Sequence, residues 1–465
     1  MKKITYLFIA IALLTGITTS CNKEALDPKL AQSKEATPES ITTIEDVKGL
    51  VYGAYNRMTG SGYYGRDFII WGEVRSDNCF SNGSSGRFVA DARMDYTDSF
   101  GGHWADAYSV IAVANIIIGL DPESIDGDLA EIEHIIGQAY AIRALAHYDL
   151  LIYYGQMHVG GTLGIPYIKE YKSTNFTPER DTWANNVTDI YDDIDMAISL
   201  MDPAEDDSSK ELFTYYGAQA LKARVAIYFG DWSVASSACD VVINSNLYDI
   251  VPEEGFVASW YNDAAVNSIF ELAFSSTDNA NINGLSYIYR GGSYGDVEGL
   301  QNLYDTFDAG DVRASADMIG DDPAWPPGTR PYCNLGKYPS IDYSDNVSVL
   351  RYEEVLLNKA EALFRINGGG DATALGILND IAAERNAAVI TGPITEDMIL
   401  TERRKELCFE GLRFHDFMRT GRDVPDPEPL KITHGVQAYG DEDLAFPIPL
   451  SEMDANANMI QNPGY

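Results

Sequence analysis

The chain has 465 residues, 45% hydrophobic and 22% charged, an ordinary globular balance long enough for about three average domains or one large body. Asp and Glu number 70 against 33 Lys and Arg, for a formal charge of −37; that field repels phosphate backbones and speaks against nucleic acid as a partner. Tyrosine is the conspicuous aromatic, at 29 residues, and its ring suits stacking surfaces as well as cores.

The N-terminus reads Met1-Lys2-Lys3, an apolar run from Ile4 to Ile17, then Thr18-Thr19-Ser20 before Cys21. Two lysines, a short apolar core and small residues describe a secretory signal over residues 1–20. The apolar run is shorter than the ~20 residues of a spanning helix. Small residues directly before a cysteine resemble a bacterial lipoprotein signal, with Thr18 where Leu is usual. Cys21 is then the expected lipidation point, and residues 21–45 a lipidated N-terminus and polar tether. An ordinary signal with an incidental cysteine is the other reading of the same residues. Cys79, Cys239, Cys333 and Cys408 show no metal-like spacing. Cys239 and Cys408 sit in apolar helical contexts that fit free buried thiols, and a Cys79–Cys333 bridge is left open.

Residues 60–100 carry Tyr63, Tyr64, Phe68, Trp71, Phe88 and Tyr96 among Gly, Ser and Asn, without helical period. Helical stripes follow. Trp104, Tyr108, Ile111 and Asn115 share one face; Ile132, Ile135, Ile136, Ala139, Arg143, Ala146 and Leu150 share another; Val187, Ile190, Tyr191, Ile194 and Ile198 a third. Leu221, Val225 and Tyr228 run into Gly230-Asp231, and Val234, Ala238, Val241 and Val242 resume, which predicts a helix–turn–helix pair. Residues 250–345 lose the period and fill with Gly, Asn, Asp, Pro and Tyr. A second helix pair is predicted from Tyr352, Val355, Leu356, Ala360 and Leu363, broken at Gly368-Gly369-Gly370 and resumed by Leu375, Leu378 and Ala382. Thr395 then caps a further helix. Small residues recur on the pairs, as in stacked two-helix repeats such as tetratricopeptide repeats. The expected fold is mainly α, with tetratricopeptide-like helix pairs in an α-α superhelix packed against a loop-rich irregular half. Residues 46–465 are expected as one domain carrying the loop-rich insertion at about 250–345.

The aromatic loops are the expected binding surface. Sugar rings present C–H faces that pack on Tyr and Trp, while their hydroxyls need polar partners. Tyr287, Tyr289, Tyr294 and Trp325 stand beside Arg290, Asn281, Asn283 and Asp296. Arg87, Phe88 and Tyr96 from the earlier segment are expected to face them. The candidate ligand residues are therefore Tyr287, Tyr289, Arg290, Tyr294, Asp296, Trp325, Arg87 and Tyr96. Local loop packing or contact with a protein partner is the competing use of the same rings.

Four ordered blocks carry a family resemblance. They are Trp104-x3-Tyr108-x2-Ile111 with Asn115; Gly137 to Leu150 followed by Tyr154-Gly155 and Ile165-Pro166; Arg351 to Leu357 with Ala360-Glu361-Ala362 and Leu378-Asn379; and Glu402 to Leu407 with Phe409-Glu410-Gly411-x-Arg413 and Asp416. The chain closes on Phe446-Pro447-Ile448-Pro449 and Gln461 to Tyr465. On these blocks the sequence resembles the SusD/RagB family of Bacteroidetes surface lipoproteins, departing at Thr18, His147 and His415. The resemblance implies the helix-pair fold and a lipid-anchored outer-membrane protein facing the cell exterior. It also implies a SusC-like TonB-dependent β-barrel transporter as partner and an oligosaccharide as ligand. Some relatives handle peptides instead, so a peptide-uptake role is the alternative.

Catalysis and cofactors are not expected. No GxSxG, HExxH or phosphate-cradling loop occurs, and the six histidines lack metal-ligand spacing. Glu402 to Arg419 holds carboxylates that a glycoside hydrolase would use as an acid/base pair. Each has Arg or Lys within helical reach, which predicts an ion-pair lattice pinning the last helix to the body. Asp305, Asp308, Asp311 and Asp317 read as a solvated acidic surface rather than a calcium site.

Overall fold

Thr43 opens the first described helix with a reciprocal cap: Asp46 N donates to Thr43 Oγ1 and Thr43 N to the Asp46 carboxylate. The structure is a computed structural model, and it describes residues 40–172, 174, 176–291 and 294–465. The expected signal segment over residues 1–20, Cys21 and the expected tether as far as residue 39 lie outside the described residues. Residues 43–465 cluster as one unit.

The long helices are α1 (Ile44–Met58), α2 (Asp67–Val74), α3 (Trp104–Ile118), α4 (Leu129–Tyr154), α5 (Trp183–Leu200), α6 (Tyr215–Phe229), α7 (Trp232–Asn244), α8 (Tyr352–Asn367), α9 (Ala372–Ala383), α10 (Glu396–Leu407) and α11 (Arg413–Thr420). Neighbours in sequence are mostly neighbours in space: α3 packs on α4, α4 on α5, α5 on α6, α6 on α7, α7 on α8 and α8 on α9. This is the expected run of stacked helix pairs. The two predicted turns are both present. Gly230 ends α6 in the left-handed region at φ 81°, and Asp371 caps α9 through Ala374 N at 2.8 Å. Ala226, Ala235 and Ala362 from α6, α7 and α8 form one buried cluster with Ile227, so small side chains let three helices approach closely.

Two stripes proved wider than their periodicity. From Ile132 onward nearly every residue of α4 is buried, as befits a helix apolar all round. In α8 the eleven residues Tyr352–Ala362 are all buried, charged ones included. Those charges are matched: Glu354 by Arg224 (2.7 Å), Glu353 by Arg385 (2.8 Å), Glu361 by Arg419 (2.6 Å) and Lys359 by Asp240 (2.7 Å). Arg143 ties three helices together, donating in bidentate fashion to Asp193 of α5 (2.6 and 2.7 Å) and to Asn115 of α3 (2.7 Å). His147 is structural: Nδ1 lies 2.9 Å from Arg143 O, Nε2 accepts from Ile168 N, and the ring stacks on Tyr167.

The loop-rich part is held by three two-stranded antiparallel ladders: β1 (Cys79–Ser81) with β3 (Val297–Gly299), β2 (Ser268–Leu272) with β6 (Val347–Arg351), and β4 (Ile319–Gly320) with β5 (Cys333–Asn334). Cys79, Cys239, Cys333 and Cys408 are buried and free, so the Cys79–Cys333 bridge left open by the sequence is not formed.

The charged C-terminal segment is an ion-pair lattice, as expected, but a buried one. It is also not one helix. Phe409 (φ 67°) and Gly411 (φ 82°) take left-handed conformations between α10 and α11. A β-carbon on Gly72 of α2 would collide with the Gly411 carbonyl, so backbone meets backbone there. Glu406 is the hub: its carboxylate accepts from Arg351 Nη1 (2.7 Å), Arg385 Nε (3.0 Å) and Arg313 Nη1 (3.0 Å). Arg313 also holds Asp311 (2.7 Å) and Glu402 (2.6 Å). Asp311 is therefore part of this lattice and not the solvated surface expected of it. Burial alone would raise the Glu406 carboxyl; the three guanidiniums overcome it and hold the group well below the usual carboxylate range.

Asp149 in α4 runs the other way. Burial pushes its carboxyl up to about 7, against the hydrogen bond from Tyr63 Oη at 2.5 Å. Burial lowers His103 and His415 to about 3.

Two outcomes follow from these buried charges. Glu406→Gln removes the carboxylate that three buried guanidiniums share, leaving Arg313, Arg351 and Arg385 only their other carboxylate partners, and is expected to destabilise the protein by on the order of 3–5 kcal/mol, read as a lowered urea midpoint. Asp149 binds its proton more tightly folded than unfolded. Its contribution is thus full below pH about 4 and is lost as pH rises to about 7, at a slope of at most about 1.4 kcal/mol per pH unit. Asp149→Asn keeps the acceptor for Tyr63 and removes this loss. The stability difference between variant and parent is expected to shift in the variant's favour between pH 4 and 7. The buried histidines act in the opposite sense in both proteins and cancel in that difference.

Candidate functional site

The segment after residue 280 shows how ring residues divide between core and surface. A turn at Asn281–Asn283 leads into a short helix, Leu285–Tyr289. Leu285, Ile288 and Tyr289 are buried, which anchors the helix and leaves Tyr287 half-buried on its outer side. Tyr287 meets Tyr294 edge-on at 5.6 Å and Tyr343 at 6.1 Å between ring centroids. The Arg87 guanidinium lies 4.1 Å from the Tyr294 centroid, and its Nη2 donates to Asn283 Oδ1 at 2.9 Å. Trp325, also half-buried, donates Nε1–H to Gly291 O at 3.2 Å. Partly exposed rings thus converge with an amide and a guanidinium whose Nη1 has no oxygen partner among the described residues.

Buried charge fixes the loops bearing these rings. Asp296, fully buried, accepts from Ser85 N at 2.9 Å, and its carbonyl from Asn82 N at 2.8 Å. Arg330 donates to Glu298 and Asp322, each at 2.9 Å, and to the Gly295 carbonyl; its guanidinium lies 5.6 Å from the Trp325 centroid. Asp322 in turn accepts from Gly291 N at 2.8 Å. Residues 82–87, Gly291 with 294–296, and 322–330 are thus pinned to one another.

Five of the eight expected ligand residues are brought to one neighbourhood with an outward face: Tyr287, Tyr294, Trp325 and Arg87, with Arg290 at its base. The Arg290 guanidinium is spent on the carbonyls of Asn334 (3.2 Å), Leu335 (2.9 Å) and Tyr338 (2.5 Å), so it supports the loop. Three expectations are corrected by burial. Tyr289 is fully buried, its hydroxyl donating to Phe409 O at 3.2 Å. Tyr96 packs on Phe100 and Phe446 and donates to Asp91 O. Asp296 is the internal brace just described. None of these three presents its side chain to a ligand. Sequence reasoning missed Tyr343 and the Arg330–Asp322 pair. Tyr343 had a signal, an aromatic in a Ser- and Asp-rich turn; Arg330 and Asp322 lie in an aperiodic stretch with nothing local to mark their pairing.

A second, more apolar cleft of about 310 Å³ lies between α3 and residues 166–172, 176 and 178, walled by Trp104, Tyr108, Tyr171 and Phe176. Its polar groups are largely committed: Tyr108 Oη donates to Pro166 O (2.8 Å) and Asn115 Nδ2 to Ile168 O (2.9 Å). Among the described residues no cluster of His, Cys, Asp and Glu is arranged to hold a metal ion.

Comparison with known proteins agrees with this architecture. Residues 27–227 match a SusD-like family model described as starch-binding associating with outer membrane, and residues 334–465 match the SusD family model. The chain is 25% identical to SusD-like protein P2 of Formosa agariphila, over the full length of both. It is 32% identical to the starch-binding protein SusD of Bacteroides thetaiotaomicron over 28% of this chain and 22% of that one. A SusD superfamily protein from Bacteroides thetaiotaomicron superposes with a TM-score of 0.82 at 26% identity, covering 91% of this chain and all of the other. Two family models on separate stretches, full-length relatives and a shared helix-pair fold agree: residues 27–227 are similar to a SusD-like family and residues 334–465 to the SusD family.

Proposed function

We propose that this protein captures a neutral oligosaccharide on the face formed by Tyr287, Tyr294, Tyr343 and Trp325. It then passes the ligand to a SusC-like TonB-dependent barrel, while a lipid on Cys21 holds it at the outer surface of the outer membrane. The observation that carries the proposal is the half-exposed ring cluster joined to Arg87 and Asn283. Tyr and Trp faces suit the C–H faces of pyranoses, and the amide and guanidinium suit the hydroxyls. The matching family model is described in terms of starch binding and outer-membrane association, and the similar SusD of Bacteroides thetaiotaomicron is a starch-binding protein. Both support the glycan reading over the peptide one.

The electrostatics favour a neutral ligand. Arg290 is saturated by carbonyls and Arg330 by carboxylates, and the chain carries −37. An anionic glycan meets repulsion at long range, and Arg87, whose hydrogen bond among the described residues goes to the Asn283 side chain, is the one guanidinium of the face tied to neither a carboxylate nor a backbone carbonyl. The role proposed is binding without turnover. The carboxylates of the C-terminal segment are each occupied by guanidinium or ammonium groups in the core, away from any substrate.

Calorimetry and affinity electrophoresis against a panel of neutral polysaccharides, starch and laminarin among them, test this. Tyr287→Ala and Trp325→Ala are each expected to weaken the bound member about tenfold or more, about 1.4 kcal/mol. Undiminished binding in both variants, or a copurifying peptide identified by mass spectrometry, would refute the assignment. Cys21→Ser is expected to move the protein from the membrane fraction to the soluble one; a variant that stays with the membrane would rule out the lipid anchor.

A further inference from the structure

We infer that the binding face continues past the ring cluster into an amide-lined cleft at the C-terminal end of α1, so that the ligand is an extended glycan chain gripped at two subsites. The inference rests on the glycan reading above. The cleft encloses about 380 Å³, within the about 300–1,000 Å³ of small-molecule sites. One wall is the end of α1 and its following turn, with Asn56 and Ser61; the other is the segment bearing Phe274, Asp278, Asn279 and Asn283.

Two independent connections join this cleft to the rings. Asn283 lines the cleft and accepts from Arg87, which lies over Tyr294. Phe274 lines both the cleft and an adjoining narrow recess whose wall includes Tyr343, the residue in ring contact with Tyr287. The walls are held in place. Phe274 N donates to Asn346 Oδ1 at 2.8 Å, the Asn279 amide to Ser275 O at 2.6 Å, and Asn56 Nδ2 reaches Asp278 Oδ2 at 3.2 Å across the cleft.

The lining chemistry selects the ligand class. Side-chain amides and hydroxyls offer donors and acceptors side by side, which matches vicinal hydroxyls on a sugar ring, and Phe274 supplies an apolar face. No Lys or Arg lines the cleft, and Asp278 does, so a uronate or sulfate would be repelled. An apolar peptide side chain would strip water from the amides without replacing their hydrogen bonds. A neutral chain long enough to reach from Tyr287 to Asn56 satisfies both ends.

The test compares short and long probes: maltotriose with maltoheptaose, and laminaritriose with laminariheptaose, titrated calorimetrically into the full mature protein. The cleft variant is Asn56→Ala with Ser61→Leu. Asn56 is exposed on α1, and an unchanged melting temperature verifies the fold. The expected result is a five- to tenfold loss of heptasaccharide affinity, with trisaccharide affinity changed less than twofold. Tyr287→Ala weakens both lengths. If the cleft variant leaves heptasaccharide affinity intact while Tyr287→Ala abolishes binding, the second subsite is refuted and the ring site stands. If neither variant alters the binding of either length, or no probe binds the parent protein, the glycan reading itself fails and the subsite with it.

Discussion

The structure depends on charge matched in the absence of water. Glu406 sits among Arg313, Arg351 and Arg385, and these come from different parts of the chain: the loop-rich half, the β6–α8 junction and the end of α9. Lys337 adds a fourth cation, donating to Glu410 at 2.5 Å and to the Glu406 and Cys408 carbonyls. A lattice of this kind gains little over a hydrophobic core of equal volume, yet it is intolerant of mispairing, because any unpaired member is a buried charge. Helical superhelix and irregular half therefore meet in one register. Gly411 against Gly72 adds a steric constraint at the same junction.

The same device recurs at smaller scale beneath the ring cluster. Asp296, Glu298, Asp322 and Arg330 are buried and connect three loops that have little regular hydrogen bonding of their own. Loops usually pay ordering entropy when a ligand binds; loops already clamped do not, and rings held in place offer stacking surface at lower cost. The division of labour is clear along one short helix. Leu285, Ile288 and Tyr289 go inward to hold it, and Tyr287 stays half-exposed on the outer side. A scaffold fixed by buried ion pairs tolerates changes in the outward residues of such loops without disturbing the clamp.

Similarity to SusD and SusD-like proteins extends over most of the chain, and the helix-pair scaffold is shared with solved SusD superfamily structures. In the reading proposed above, the ligand is selected by the aromatic loops and by the cleft beside α1, where amides and hydroxyls stand next to rings, with Arg87 at the one and Asp278 at the other. The net charge of −37 opposes the approach of polyanions at long range.

The helix pairs were legible in the sequence because a 3.6-residue period, a capping Thr395 and the breaks at Gly230 and Gly368-Gly369-Gly370 are local signals. The ion-pair reading of Glu402–Arg419 was also legible, since Arg and Lys stood within one or two turns of each carboxylate. Which side chains reach solvent was not. Tyr287, Tyr289 and Tyr294 lie in one aromatic loop with the same composition around them, yet Tyr289 is core and the other two are surface. That split is set by how a five-residue helix seats against Phe409 and Tyr338, residues more than forty positions away. The partners of Glu406, the free state of Cys79 and Cys333, and the approach of Gly72 to Gly411 are likewise long-range facts. Periodicity and capping act between neighbours in the chain; burial and charge pairing act between neighbours in space, and only the folded chain says who those are.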